Sequence, residues 1–186
     1  MERCVYIISG MSGSALTNTA SLLASRFEKA VHLRGDIFKR MIVSGREDMT
    51  AQPSEEALRQ MFVRLHLAAD AAVTYYKNGF HVILQEEYTE TELTRLQGLL
   101  KGVPVKTVVL CAGEALKRER ELFFRKITCL EMPDEKLYGK IAMPADEKTF
   151  FLDVTTFSPE SAVDYILGHF DCMEEEQHRM RKEDRE

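Results

Sequence analysis

The residues whose types and spacing carry the most chemistry stand near the start of the chain, Gly10-Met11-Ser12-Gly13-Ser14-Ala15-Leu16-Thr17. A β-branched and aromatic run, Cys4-Val5-Tyr6-Ile7-Ile8, stops at Ser9-Gly10, and the small-residue loop then feeds a helical pattern. Strand, glycine-rich turn and helix N-terminus in direct succession turn backbone N–H groups toward a common anion. Measured against G-x-x-x-x-G-K-[ST], Gly10 fits the first glycine and Thr17 fits the hydroxyl that meets a metal ion. Ala15 stands where the second glycine belongs, and Leu16 stands where the lysine belongs. The expectation is a phosphate cradle without the ammonium that offsets charge on the β- and γ-phosphates. The plainer alternative is an ordinary strand-to-helix turn rich in glycine and serine.

Other candidates follow the ends of strand-like runs. Asp36 and Arg40 come directly after Ala30-Val31-His32-Leu33-Arg34-Gly35, and Glu86 comes after Phe80-His81-Val82-Ile83-Leu84-Gln85. If these runs share a parallel sheet, all three residues reach its carboxyl edge, where ligands of α/β proteins collect. Asp36 could instead simply cap a short helix, since aspartate is a preferred N-cap. The pair Glu86-Glu87 could be no more than an exposed strand end. Arg118, Arg120, Arg125 and Lys126 are spaced along a helical pattern together with Glu114, Glu119 and Glu121. That pattern suits either a phosphate-closing helix or a solvated face of intrahelical pairs. His32, His66 and His81 lie within apolar segments and read as packing or hydrogen-bonded histidines.

The elements that must position these groups alternate along the chain. Strand-like runs at 4–8, 30–33, 80–84, 105–110 and 149–154 are separated by helical patterns, the signature of an α/β fold with a parallel sheet. The clearest helix follows Pro53-Ser54-Glu55-Glu56, a serine cap with acids in its first turn. It keeps Leu58, Met61, Phe62, Leu65, Ala69, Ala72, Val73 and Tyr76 at three-and-four spacing until Asn78-Gly79. Further helices are expected over 15–27, 89–100 and from Ser158-Pro159-Glu160 onward, with 44–53 a polar and mobile loop. From Glu174 the chain is almost entirely charged, either a solvated helical extension or a frayed tail.

With 186 residues, 45% of them hydrophobic, one domain with a substantial core is expected: 1–173, followed by the charged tail 174–186. A net charge of -5 argues against a nucleic-acid-binding surface, and no apolar run reaches transmembrane length. Cys4, Cys111, Cys129 and Cys172 are far apart with no metal-ligand spacing, so reduced thiols and a cytoplasmic location are expected.

Taken together, these residues resemble the small-molecule kinase branch of the P-loop proteins, the group of gluconate kinase, adenylylsulfate kinase, shikimate kinase and chloramphenicol phosphotransferase. The resemblance spans 5–170. It implies a three-layer α/β fold, a five-stranded parallel sheet with helices on both faces, and a helical lid over about 117–147. It also implies ATP with Mg²⁺, bound by the loop from Gly10 to Thr17, with Thr17 and Glu86 toward the metal. Asp36 would serve the acceptor hydroxyl, Arg40 and Glu86 would hold the acceptor, and Arg118, Arg120 and Arg125 would close over the phosphates. Leu152-Asp153-Val154-Thr155 resembles the segment that borders the adenine, which makes Asp153 and Thr155 nucleotide contacts. The partners expected are a nucleotide and a small acceptor, with the chain a monomer or homodimer.

Two functions from different classes follow. One is an ATP-dependent phosphotransferase acting on a small hydroxyl-bearing metabolite or drug, with another cation in place of the lysine. The other is a pseudo-kinase that keeps the fold as a nucleotide- or protein-binding module. An enzyme that binds a different anion is a third reading.

Overall fold

Five strands form from the apolar runs: β1 (Val5–Gly10), β2 (Ala30–Arg34), β3 (His81–Gln85), β4 (Val105–Cys111) and β5 (Thr149–Asp153). The computed structural model describes residues 2–10, 14–50, 52–111 and 149–183, with backbone alone at 14 and 174–183. Every strand pairing is parallel, in the order β2-β3-β1-β4-β5. The proposed lid at 117–147 lies outside the described residues.

The central strand explains the layering. Alternate side chains of a strand point to opposite faces, and in β1 both sets are apolar. Val5 and Ile7 join a core with Leu58, Met61, Phe62 and Leu65 of α3 (Glu55–Lys77) and Leu93 and Leu96 of α4 (Glu90–Leu99). Tyr6 and Ile8 join the opposite core with Leu16, Ala20 and Leu23 of α1 (Ser14–Ser25) and Val163, Ile166 and Phe170 of the last helix (Pro159–Glu183). Each fully buried side chain of this size contributes about 1.5–3 kcal/mol, so the sheet is held from both faces.

Local signals set the helix ends. Ser54 caps α3 by accepting from the Ala57 N–H at 3.0 Å, and Glu55 and Glu56 occupy its first turn. Asn78 caps the other end, and Gly79 turns away with φ of +90°. At α4, Thr89 and Glu92 form a reciprocal capping box: the Thr89 N–H donates to Glu92 Oε2 and the Glu92 N–H donates to Thr89 Oγ1. The last helix continues through the charged segment to Glu183, so the extension there is helical.

The loop expected over 44–53 is present, and residues 45–48 are held by contacts to its neighbours. Gln60, reaching from α3, accepts from the Glu47 N–H at 2.9 Å and donates to the Gly45 carbonyl at 2.7 Å. Lys39 of α2 (Asp36–Arg40) pairs with Asp48 at 2.7 Å, and Ser54 Oγ donates to the Glu47 carboxylate. A polar loop is therefore tied to two helices by one buried glutamine and an ion pair, which polarity alone does not reveal. Among the described residues no helix is long and apolar enough to cross a membrane.

Candidate functional site

The register of the sheet brings the strand ends together. Ile8 lies beside Gln85, Gly10 beside Leu110, Arg34 beside Gln85, and Cys111 beside Asp153. Gly10, Asp36, Glu86 and Asp153 therefore follow or close strands at one carboxyl edge. An open cleft of about 720 Å³ borders this edge, with Leu16, Thr17, Asp36, Arg40, Arg64 and Glu86 among its lining residues.

At the loop, Gly10 has φ of +119°, and a Cβ there would collide with the Leu110 carbonyl oxygen on β4. Both backbone conformation and space therefore demand glycine where β1 ends. The helix α1 then starts at Ser14, four residues after Gly10. Met11, Ser12 and Gly13 lie outside the described residues, and only the backbone of Ser14 is described. Ala15 is exposed and Thr17 half-buried. Leu16 lines the cleft yet is only 2% exposed, because its side chain belongs to the core with Tyr6, Ile8 and Leu23.

Asp36 is the first residue of α2, not its cap, since Gly35 occupies the cap position without a side-chain bond. Its carboxylate is held on both sides instead. Arg34 donates through Nε and Nη2 at 3.2 and 3.1 Å, and Arg40 Nη2 lies 2.7 Å from Oδ2 one turn along. The bland capping role is thus absent, and the aspartate is a fixed acceptor at the cleft wall.

Glu86 meets a residue that the sequence reading passed over. Arg64 of α3 donates to Glu86 Oε1 at 2.9 Å and lies 3.6 Å from Glu92 Oε1. All three side chains are largely buried, at 12%, 18% and 11% exposure for Arg64, Glu86 and Glu92. Burial pushes the Glu86 carboxyl up to about 7, opposed by Arg64 and reinforced by Glu92 and Asp36. The other Glu86 oxygen packs against Gly35, where an added Cβ would collide with it and stand 2.8 Å from the Tyr88 hydroxyl. Gly35 has an ordinary φ of -62°, so glycine is required there for space alone. The buried Tyr88 hydroxyl has no hydrogen-bond partner among the described residues, and burial beside Glu86 and Glu92 pushes its pKa well up. Ser9, fully buried, accepts from the Tyr88 N–H at 2.9 Å and fastens this loop to the end of β1.

Two of these residues carried a sequence signal. Arg64 lies on the line Ala57, Met61, Ala68, all buried, so a charge interrupts an apolar stripe. Thr89-Glu90-Thr91-Glu92 is a capping-box pattern. Neither signal states that Arg64 and Glu92 converge on Glu86, because that contact joins α3, β3 and α4.

Of the remaining candidates, Asp153 closes β5 and its Oδ1 accepts from the Thr155 N–H at 2.9 Å and the Thr155 hydroxyl at 2.6 Å. Arg118, Arg120 and Arg125 lie outside the described residues. Among the described residues no group of three His, Cys, Asp or Glu side chains is placed to hold a metal. His32 hydrogen-bonds Gln85 at 3.1 Å, His66 bonds the Phe62 carbonyl at 2.8 Å, and His81 stacks on Phe27 at 4.0 Å. Their roles are those of packed histidines. Cys4 and Cys111 are buried, and Cys172 is exposed.

With this geometry, the chain has the P-loop kinase fold, a parallel α/β sheet with helices packed on both faces. A sugar kinase from a Janibacter species is similar at a TM-score of 0.56 and 17% identity, over 91% of this chain and 95% of that one. A gluconokinase from Sinorhizobium meliloti superposes at a TM-score of 0.57 and 14% identity, over 96% of this chain and 99% of that one. The tunicamycin resistance protein of Deinococcus radiodurans gives a TM-score of 0.57 at 16% identity, over 91% and 96%. No protein-family model matches the sequence, and no curated protein matches it. At such identities the likeness establishes the fold.

Proposed function

We propose that the chain is an ATP-dependent phosphotransferase acting on a small hydroxyl-bearing molecule. The observation that carries this reading is the single cleft that reaches from Leu16 and Thr17 at the start of α1 to Asp36, Arg40 and Glu86. A donor phosphate and an acceptor hydroxyl must share one such space for transfer to be direct. What suits a nucleotide with Mg²⁺ is the start of α1 at the cleft, where Thr17 is a lining residue with a hydroxyl to offer a metal ion. When bound, ATP would supply the phosphoryl group. Gly10 to Thr17 would cradle phosphate, and Asp36, fixed between Arg34 and Arg40, would orient the acceptor hydroxyl and accept its proton at a carboxylate oxygen. Arg40 and Glu86 would hold the acceptor, Asp153 and Thr155 would border the base, and Arg118, Arg120 and Arg125 would neutralise transferring charge.

Leu16 favours a second reading, a pseudo-kinase that binds nucleotide without turnover. Its side chain is committed to the core, so it supplies none of the charge a lysine would. A charge-assisted hydrogen bond is worth about 1.5–3 kcal/mol, enough to slow transfer by one or two orders of magnitude. The two readings separate in one experiment: calorimetric titration with ATP and Mg²⁺, followed by acceptor-dependent ADP release, for wild type and Leu16→Lys. The phosphotransferase predicts binding and release in wild type. The pseudo-kinase predicts binding with no release, and tighter binding in Leu16→Lys. Absence of nucleotide binding in both proteins would defeat both readings.

A further inference from the structure

The charges of the described cleft lining are unevenly placed, and their placement constrains the acceptor. That lining contains four cations, Arg34, Lys39, Arg40 and Arg64, against four carboxylates, Asp36, Glu86, Glu87 and Glu92. Each cation already has a carboxylate partner. Arg34 and Arg40 share Asp36, Lys39 takes Asp48 from the neighbouring loop, and Arg64 is held by Glu86 and Glu92. Depth sharpens the point. The most exposed of these cations, Arg40, is 70% exposed at the rim, whereas the buried end sets one guanidinium against two carboxylates.

An acceptor bearing a carboxylate or phosphate would meet Glu86 and Glu92 at that buried end, with Arg64 already shared between them. At Arg34 and Arg40 it would share the guanidinium groups with Asp36 at the exposed rim, where solvent screens the gain. The buried contact adds no net attraction for an anion, and unlike the rim contact it is weakly screened. Hydroxyl and ammonium groups, by contrast, can donate to the carboxylate oxygens without breaking a pair. We propose that this end of the cleft selects a hydroxylated acceptor that is uncharged or cationic, and rejects acceptors that carry an anionic group at the entering end. This inference rests on the phosphotransferase reading and names the class of molecule it acts on.

The test uses the full chain with matched compounds that differ only in charge: sorbitol, glucosamine and gluconate, and the corresponding neutral, amino and carboxylate cyclitols. Each is titrated calorimetrically with and without a non-hydrolysable ATP analogue and Mg²⁺. The expected result is that the neutral or amino member of a set binds at least about tenfold more tightly than its carboxylate counterpart. Glu86→Gln with Glu92→Gln, which keeps the capping box, should narrow that gap. Tighter binding of the carboxylate member would overturn the proposal, as would no binding by any member or a gap unchanged in the double variant. The nucleotide titration is read separately. Binding of ATP with a carboxylate preference defeats the charge inference and leaves the phosphotransferase reading standing, whereas a neutral preference without ATP binding does the reverse.

Discussion

Glu86→Gln isolates the ionisation of one largely buried carboxyl. In the folded protein that carboxyl is pushed from 4.5 to about 7, chiefly by burial. The difference corresponds to roughly 3 kcal/mol of linked stability, an upper value because nearby side chains relax. Below pH 4.5 folded and unfolded chains are both protonated at this site, and ionisation costs nothing. As pH rises toward 7 the unfolded chain ionises first, so the folded state loses relative stability, and above 7 the loss is complete. Glutamine cannot ionise. It retains an acceptor for Arg64. The stability of Glu86→Gln relative to wild type should therefore rise by roughly 2–3 kcal/mol between pH 5 and pH 8. Burial lowers the pKa values of His32, His81 and His169, which would raise stability with pH over part of this range in both proteins. The quantity to measure is thus the difference between the two proteins in urea unfolding at pH 5, 6, 7 and 8. Parallel profiles, or a variant that loses ground as pH rises, would refute the account of a carboxyl destabilised by burial.

Gly10→Ala should lower the melting temperature sharply and abolish nucleotide binding by calorimetry, since an alanine there must push β4 away or change the strand end. A stable variant that still binds ATP would contradict the steric requirement. Gly35→Ala should cost about 1–3 kcal/mol by thermal unfolding, because Glu86 must leave its place against the backbone and loosen its bond to Arg64. Its pH profile should then move toward that of Glu86→Gln, and an unchanged profile would show that the contact does not matter. Gln60→Ala removes the acceptor of the Glu47 N–H and the donor to the Gly45 carbonyl, so hydrogen exchange at Glu47 should speed up at least about tenfold. Protection equal to wild type would mean that Lys39–Asp48, Ser54–Glu47 and Met49 packing hold the loop without Gln60.

What was legible in the sequence was whatever a single element decides. The five strands follow from β-branched runs, α3 from its apolar stripe and Ser54, and the carboxyl-edge position of Gly10, Asp36 and Glu86 from parallel topology. Asp36 also read as a cap, and the contacts of Arg34 and Arg40 to its carboxylate are local ones, two and four residues away, that the cap reading hid. The rest of what was not legible depends on elements meeting. The buried Arg64 shared by Glu86 and Glu92 needs α3, β3 and α4 in contact, and the anchoring of 44–50 needs Gln60 to reach across from α3.

Leu16 shows how the two kinds of information combine. In the sequence it is a missing charge, read against a pattern in which lysine would stand. In the structure it is also a gained core residue, packed with Tyr6, Ile8 and Leu23 at the very start of α1. Burying it contributes about 1.5–3 kcal/mol, similar in size to the phosphate contact a lysine would have made. The first turn of α1 is thereby fixed by packing when no ligand is present. A lysine at this position would keep part of that packing through its apolar stem but would have to carry its ammonium into the cleft. Its stabilising value would then depend on an anion being there. The side chain that stands where the pattern has a charge is thus the one that packs the start of α1 against the sheet.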